Sequence, residues 1–87
     1  MNLFSQENKS VSFSSGGYYK ICVLGYIDES WSGRLGGMSI ESVLGADKKN
    51  VTFLEGAVTD QAELIGIVNS IYQMRLPLLS VSLVEYP

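Results

Sequence analysis

The residues best suited to chemistry lie in a glycine-rich connection between positions 28 and 37. It holds Trp31, the only tryptophan of the chain, together with Ser32 and Arg34. An indole can stack on a flat ligand, and a guanidinium can hold an anion. This combination predicts a binding site for an anion or acidic metabolite. The alternative, which we prefer, is that Trp31 covers the open edge of the core, because aromatic side chains dominate small cores.

The acidic residues and the single thiol do not suggest catalysis. Two carboxylates can perform acid–base chemistry, but Asp60 and Glu63 have the spacing of a helix cap, which already explains them. Asp28 is typical of a turn. Cys22 lies in mid-strand and is expected to be a buried, unreactive thiol. Because the chain has no histidine, we predict no enzyme, no catalytic residues, no metal site and no cofactor.

Composition limits the class of protein. Eighty-seven residues, 46% hydrophobic and 17% charged, are typical of one globular domain. The net charge is −3 and the six basic residues are scattered, which argues against nucleic acid or an anionic membrane as the main partner. With one cysteine and no recognisable targeting or membrane-spanning segment, the chain is expected to be cytoplasmic.

The C-terminal third predicts a helix followed by a strand. Asp60 and Glu63 form a capping pair, with Thr59 as a rival N-cap, and Pro77 stops the helix. The helix is expected to bury the residues that repeat at helical spacing, which are Leu64, Val68, Ile71 and Tyr72. Alternation then predicts a strand over residues 78–85.

Three earlier segments alternate as strands, over residues 18–27, 38–44 and 51–58. The predicted fold is therefore α+β, in the order β-β-β-α-β, with a three-stranded antiparallel meander, a C-terminal strand and one helix on one sheet face. The last strand should run parallel to the third, beside either the third or the first. Residues 1–17 are expected to form a flexible N-terminal arm, in which residues 11–13 could pair as an edge strand, and residues 18–87 a single domain.

The apolar surface exceeds what one helix and one sheet can hide. The first strand carries apolar residues on both faces, and the helix is apolar beyond its main face. Exposed patches of this kind mark interfaces. We therefore predict a homo-oligomer, most simply a dimer, or a protein-partner-binding subunit. The candidate interface residues are Tyr18, Cys22, Leu24, Tyr26, Gly66, Ile67 and Met74. Gly66 has two equally favoured interpretations. It allows another helix or backbone to approach closely, or it lies on a solvated face of the helix.

Several short motifs resemble a family of small, uncharacterised bacterial proteins. They are Tyr19-x-Ile21-x-Val23-x-Gly25, Asp28-x-x-Trp31-Ser32, Gly37-Met38-x-Ile40, Thr52-x-Leu54-x-Gly56, Asp60-Gln61-Ala62-x-Leu64 and Leu76-Pro77-Leu78-Leu79-Ser80-Val81. The resemblance covers residues 19–84. Where many relatives have a second aromatic after the Trp-Ser pair, this chain has Arg34-Leu35. The resemblance supports the fold and implies no activity.

Overall fold

A computed structural model describes residues 16–85 of the chain. The strands are β1 (Gly17–Leu24), β2 (Ser39–Leu44), β3 (Asn50–Val58) and β4 (Leu78–Glu85), and the helix is α1 (Gln61–Gln73). A short 3-10 helix, Glu29–Arg34, lies between β1 and β2. The predicted α+β class and the order β-β-β-α-β are confirmed. No helix in residues 16–85 has the length and apolar character needed to cross a membrane.

The four strands form one sheet in the order β2-β3-β1-β4, and all neighbours are antiparallel. This order differs from the expected meander, because β1 pairs with β3 rather than with β2. The connection through the 3-10 helix is long enough to carry the chain past β3 before β2 begins. β4 lies beside β1 and runs in the same direction as β3. The sequence left open whether the last strand lies beside the first or the third, and the structure places it beside the first. The connectivity is that of a split β-α-β sheet, with the 3-10 helix in place of its first helix.

The core lies on one face of this sheet. Tyr19, Ile21 and Val23 of β1 are buried there, as the alternation of β1 predicted. Leu35 and Met38, which flank the end of the 3-10 helix, are fully buried against the same face. The other buried apolar residues are Ile27, Leu54, Val58, Leu64, Ile67 and Ile71. The 3-10 connection and α1 therefore cover the core together.

The predicted helix start is confirmed in atomic detail. The Asp60 carboxylate accepts the Glu63 N–H at 2.8 Å, and the Glu63 carboxylate accepts the Thr59 N–H at 2.8 Å. The first bond satisfies a backbone donor that the first turn leaves free, and the second ties the residue before the N-cap to the helix. The helix ends at Gln73, and Arg75 takes a left-handed conformation with φ of 62° ahead of Pro77.

The buried face of α1 is rotated from the predicted one. Ile67 is only 4% exposed, whereas Tyr72 is 78% exposed, so the prediction that Tyr72 faces the core was wrong. The cause is the 3-10 connection, which packs beside the helix: a Cβ on Gly36 would lie 2.6 Å from Ile67 Cδ1. The burial of a helix face depends on which elements pack beside it, and periodicity alone does not reveal them.

β1 ends at Leu24, three residues before the predicted end. Gly25 has φ of 127°, a conformation that glycine adopts readily. The buried Thr52 hydroxyl donates to the Gly25 carbonyl at 2.6 Å and accepts the Ile27 N–H at 3.3 Å. Thr52 therefore fixes the bend that turns Ile27 into the core.

The predicted N-terminal arm lies outside the described residues except for Gly16 and Gly17, and so does the possible edge strand at residues 11–13. Gly17 is already the first residue of β1. A Cβ at Gly16 would clash with the Val58 carbonyl oxygen. This close approach explains why a glycine precedes the sheet.

Candidate functional site

The 3-10 helix begins at an exposed Tyr26–Asp28 pair. Asp28 is its N-cap: one carboxylate oxygen accepts the Ser30 N–H at 3.0 Å and the other accepts the Tyr26 hydroxyl at 3.0 Å. The hydrogen bonds from the Ser30 side chain and backbone, followed by that from Tyr26, lower the pKa of Asp28. The bond to Asp28, reinforced by its negative charge, raises the pKa of Tyr26. The pair is a structural cap of the connection.

Trp31 and Arg34 lie together on the outside of the 3-10 helix. The Arg34 guanidinium carbon is 5.1 Å from the centre of the Trp31 ring, within the range of a cation–π contact. Trp31 is 39% exposed, whereas Leu35 and Met38 at the end of this helix are fully buried. The preferred interpretation, that Trp31 covers the edge of the core, stays a prediction.

Ser32, the third residue predicted for this ligand site, faces inward. Its hydroxyl donates to the Met38 carbonyl at 2.6 Å, and its own carbonyl accepts the N–H groups of Leu35 and Gly37. Ser32 therefore holds the turn into β2, and its hydroxyl proton is used by the Met38 carbonyl. Within residues 16–85, no three acidic or cysteine residues converge into a possible metal site.

The largest exposed surface of the sheet is the face opposite α1, which we call the open face. No element in residues 16–85 covers it. Register places Leu24 beside Val51, and Val51 beside Val43. Cys22 pairs with Phe53 in the next row. These five side chains form a continuous apolar band across three strands, each partly or largely exposed.

A polar row follows the apolar band. Lys20 Nζ lies 3.5 Å from Glu55 Oε2 and 4.9 Å from the Phe53 ring centre. Tyr18, 38% exposed, lies one row further on and pairs with Ala57. Lys20 is thus held by Glu55 and Phe53 at the border of the band. The Cys22 thiol is half-buried rather than fully buried.

The structure divides the predicted interface residues into two groups. Tyr18, Cys22 and Leu24 lie on the open face. Tyr26 does not, because β1 ends before it and its hydroxyl bonds to Asp28. The remaining residues belong to α1 and its C-terminal end and are Gly66, Ile67 and Met74.

Those three are not part of an exposed apolar flank. Ile67 is buried and Met74 packs against the core, so the surplus surface predicted there was wrong. Gly66 is exposed, and a Cβ added to it would meet no atom within 4 Å. Within the described chain Gly66 therefore lies on the solvated face of α1, and no other backbone approaches it.

Sequence reasoning missed three of the five residues of the apolar band. Val43, Val51 and Phe53 were not among the predicted interface residues, although each alternates correctly within its own strand. The signal that could have found them is the period-two pattern of β3, in which Val51 and Phe53 oppose the buried Thr52 and Leu54. Their alignment with Leu24 and Cys22 depends on register between β1 and β3.

The chain belongs to the family described as "Domain of unknown function (DUF8691)", whose match covers residues 18–82. The match extends from the first residue after Gly17 through most of β4 and so includes the whole open face. No curated protein and no solved structure matches the chain.

Proposed function

We propose that this chain is a non-enzymatic interaction module that self-associates through the open face of its sheet. The apolar band of Leu24, Val51, Val43, Phe53 and Cys22 is the observation that supports the proposal. Such a band on one face of a sheet is the surface that a second layer covers in most two-layer domains. Here the described residues supply a second layer on the other face only.

A second copy suits this face in shape and polarity. Two sheets can pack about 10 Å apart with their apolar side chains interdigitated. A small domain buries only about 60–65% of its unfolded surface, so covering the band adds stability that the single chain lacks. The Lys20–Glu55 pair is already matched in charge. It can therefore lie at the rim of such an interface without an unpaired charge.

The polar side chains near the turns support a non-enzymatic role. Asp60 and Glu63 are engaged in the helix cap, and Asp28 caps the 3-10 helix. The chain has no histidine to serve as a general base. The free thiol of Cys22 is compatible with the proposed cytoplasmic location.

Charge substitution on the band tests the interface. Val43, 45% exposed on the open face, can be replaced by lysine with little effect on the single fold. Val43→Lys and Leu24→Lys should each lower the mass of the assembly in light scattering, because an unpaired charge would be buried between copies. Leu44→Lys is the matched control, since Leu44 is exposed and points to the opposite side of the same strand.

If Val43→Lys and Leu24→Lys assemble like the wild type, the open face is not the self-interface. Circular dichroism of each variant shows whether the single fold is retained. The mass is interpreted for variants that keep the wild-type spectrum. Val43→Lys serves as the primary variant because Leu24 is the more buried of the two residues.

A second candidate function is anion binding at Trp31 and Arg34. The observation that favours it is their exposed stacking, together with the absence of a carboxylate within salt-bridge distance of Arg34 among residues 16–85. Citrate or phosphate at this guanidinium should change Trp31 fluorescence, and Arg34→Gln should abolish the change. An unresponsive Trp31 would count against this site.

A further inference from the structure

Among residues 16–85, β4 is a free edge of the sheet whose protecting features lie only at its ends: Pro77 precedes it, Glu85 closes it, and its register to β1 shifts near both ends. It is eight residues long, and no charged residue or proline interrupts it between Leu78 and Val84. Free edges normally carry charges, prolines or a covering element, because their backbone groups can pair with another strand. The opposite edge, β2, is six residues long and carries Glu41 at its centre.

The backbone of β4 presents a defined set of groups to the outside. Leu24 N–H donates to the Pro77 carbonyl on the β4 side, whereas Gly25 N–H donates to Asn50 on the β3 side. Even-numbered residues of β1 therefore bond toward β4, and the register pairs these residues with Ser80 and Ser82. Because bonding direction alternates along a strand, Val81 and Leu83 direct their N–H and C=O groups to the free edge.

The sequence of β4 is symmetric about Val81. Serines stand on either side of it at positions 80 and 82, leucines at 79 and 83, and apolar residues at 78 and 84. In an antiparallel pair of identical strands with Val81 opposite its own copy, serine faces serine, leucine faces leucine, and Leu78 faces Val84. Directly opposed side chains of matching character stabilise such a pair.

We propose that β4 pairs with β4 of a second copy, antiparallel and centred on Val81, so that the two sheets become one. A two-fold axis at Val81 keeps the α1 side of both copies on the same side of the joined sheet. Centring the pair on Ser80 would oppose Leu78 to Ser82. Centring it on Ser82 would oppose Val84 to Ser80 and Leu79 to Glu85. Only the Val81 register matches every residue.

The irregularities of β4 are compatible with this pair. The register to β1 shifts at both ends of the strand, which leaves Leu79 and Val84 as the extra residues. The regular segment between them contains Val81 and both serines. Such shifts increase the local twist, so the pair is short and centred on this segment.

The proposed β4–β4 pair has apolar side chains on the α1 side of the joined sheet. Val81 is 39% exposed and lies on that face, because it pairs with the buried Ile21. The Ile67 flank of α1 lies against the 3-10 connection, toward β2. The other flank, with the exposed Ile65 and Tyr72, therefore lies toward β4. In two copies these flanks lie on either side of the Val81 axis, while the contact at the axis is made by Val81 itself.

This edge pair is independent of the open-face interface, because the two use different surfaces. If both form and their two-fold axes intersect, the result is a tetramer of two joined sheets packed face to face. Loss of the edge pair alone leaves a face-to-face dimer, and loss of the open-face contact alone leaves an edge-to-edge dimer. The two proposals can therefore fail separately.

A charge exchange at position 81 tests the edge pair and its register. Val81→Lys places two lysines opposite each other, and Val81→Glu places two glutamates there, so each variant alone should have half the wild-type mass by sedimentation velocity. A lysine is well tolerated on a single exposed edge. An equal mixture of the two variants should return to the wild-type mass, because lysine then faces glutamate. Val81→Thr, which keeps the branched shape, is the control with unchanged mass.

Two results would overturn the edge pair. One is a wild-type mass for Val81→Lys alone, which would mean that the edge is unpaired or covered by another segment of the same chain. The other is two folded, half-mass variants that do not reassemble when mixed, which would exclude the Val81 register. In either case Val43→Lys should still remove the open-face contact. The results at position 81 therefore do not decide whether the open face is a self-interface.

Discussion

Replacing Thr52 with valine should cost much of the stability of this domain. Thr52 is fully buried, and its hydroxyl makes three hydrogen bonds: to the Gly25 carbonyl at 2.6 Å, from the Ile27 N–H at 3.3 Å, and with the Ser42 hydroxyl at 2.7 Å. Valine keeps the shape of the side chain but removes all three bonds. The variant therefore isolates the polar contribution from the packing.

The expected loss of stability follows from the groups that Thr52→Val leaves without a hydrogen-bond partner. A buried backbone group without a hydrogen bond costs about 1–3 kcal/mol. Gly25 and Ile27 each lose such a partner. Ser42 is only partly buried and already lies 3.4 Å from the Ile27 carbonyl, so its loss is smaller. Thr52→Val should therefore lower the free energy of unfolding by about 2–4 kcal/mol, a large part of the roughly 5–10 kcal/mol expected for a chain of this length.

Urea unfolding followed by circular dichroism, at one fixed protein concentration, measures this change. Ser42→Ala removes a single bond of the same network and should cost about 1 kcal/mol. The double variant should lose less than the sum of the two, because both substitutions remove the Ser42–Thr52 bond. A loss below about 0.5 kcal/mol for Thr52→Val would refute the reasoning that this hydroxyl fixes the bend after β1.

Three further predictions concern α1 and the 3-10 helix. Ile67→Ala should cost about 2–4 kcal/mol in urea unfolding, whereas the exposed Ile65→Ala should stay within about 0.5 kcal/mol; equal losses would contradict the observed helix face. Asp60→Ala should lower the free energy of unfolding by about 1 kcal/mol through loss of the cap, and an unchanged urea midpoint would argue against the cap. The pKa of Asp28 is lower in the folded protein than its ordinary value of 3.8. The ionised carboxylate therefore stabilises the fold at pH values above 3.8, and this stabilisation is lost as the pH falls through the lower pKa of the folded state. The melting temperature of Asp28→Asn should accordingly fall less on acidification than that of the wild type, and parallel pH profiles would contradict this.

Local features were predictable from sequence because their causes lie within a few residues. The Asp60–Glu63 cap spans one helical turn. The alternation of Tyr19, Ile21 and Val23 identifies the buried face of β1, whichever strands lie beside it. The end of β1 was not predictable in this way. It depends on Thr52, which bonds to Gly25 across 27 positions of the sequence.

The remaining errors have the same physical origin. The strand order depends on how the connection after β1 crosses the sheet, and the rotated face of α1 depends on Gly36 of that connection. Within one strand, alternation identified Cys22 and Leu24 on the open face. The apolar band becomes visible only when register aligns Phe53 and Val51 beside them.

Sedimentation equilibrium of the wild-type protein over a wide concentration range tests the central claim most directly. Self-association through the open face predicts a mass of at least twice the 9.5 kDa of the single chain. That mass should fall toward the single-chain value only at low concentration. A mass of 9.5 kDa at every concentration would contradict the claim.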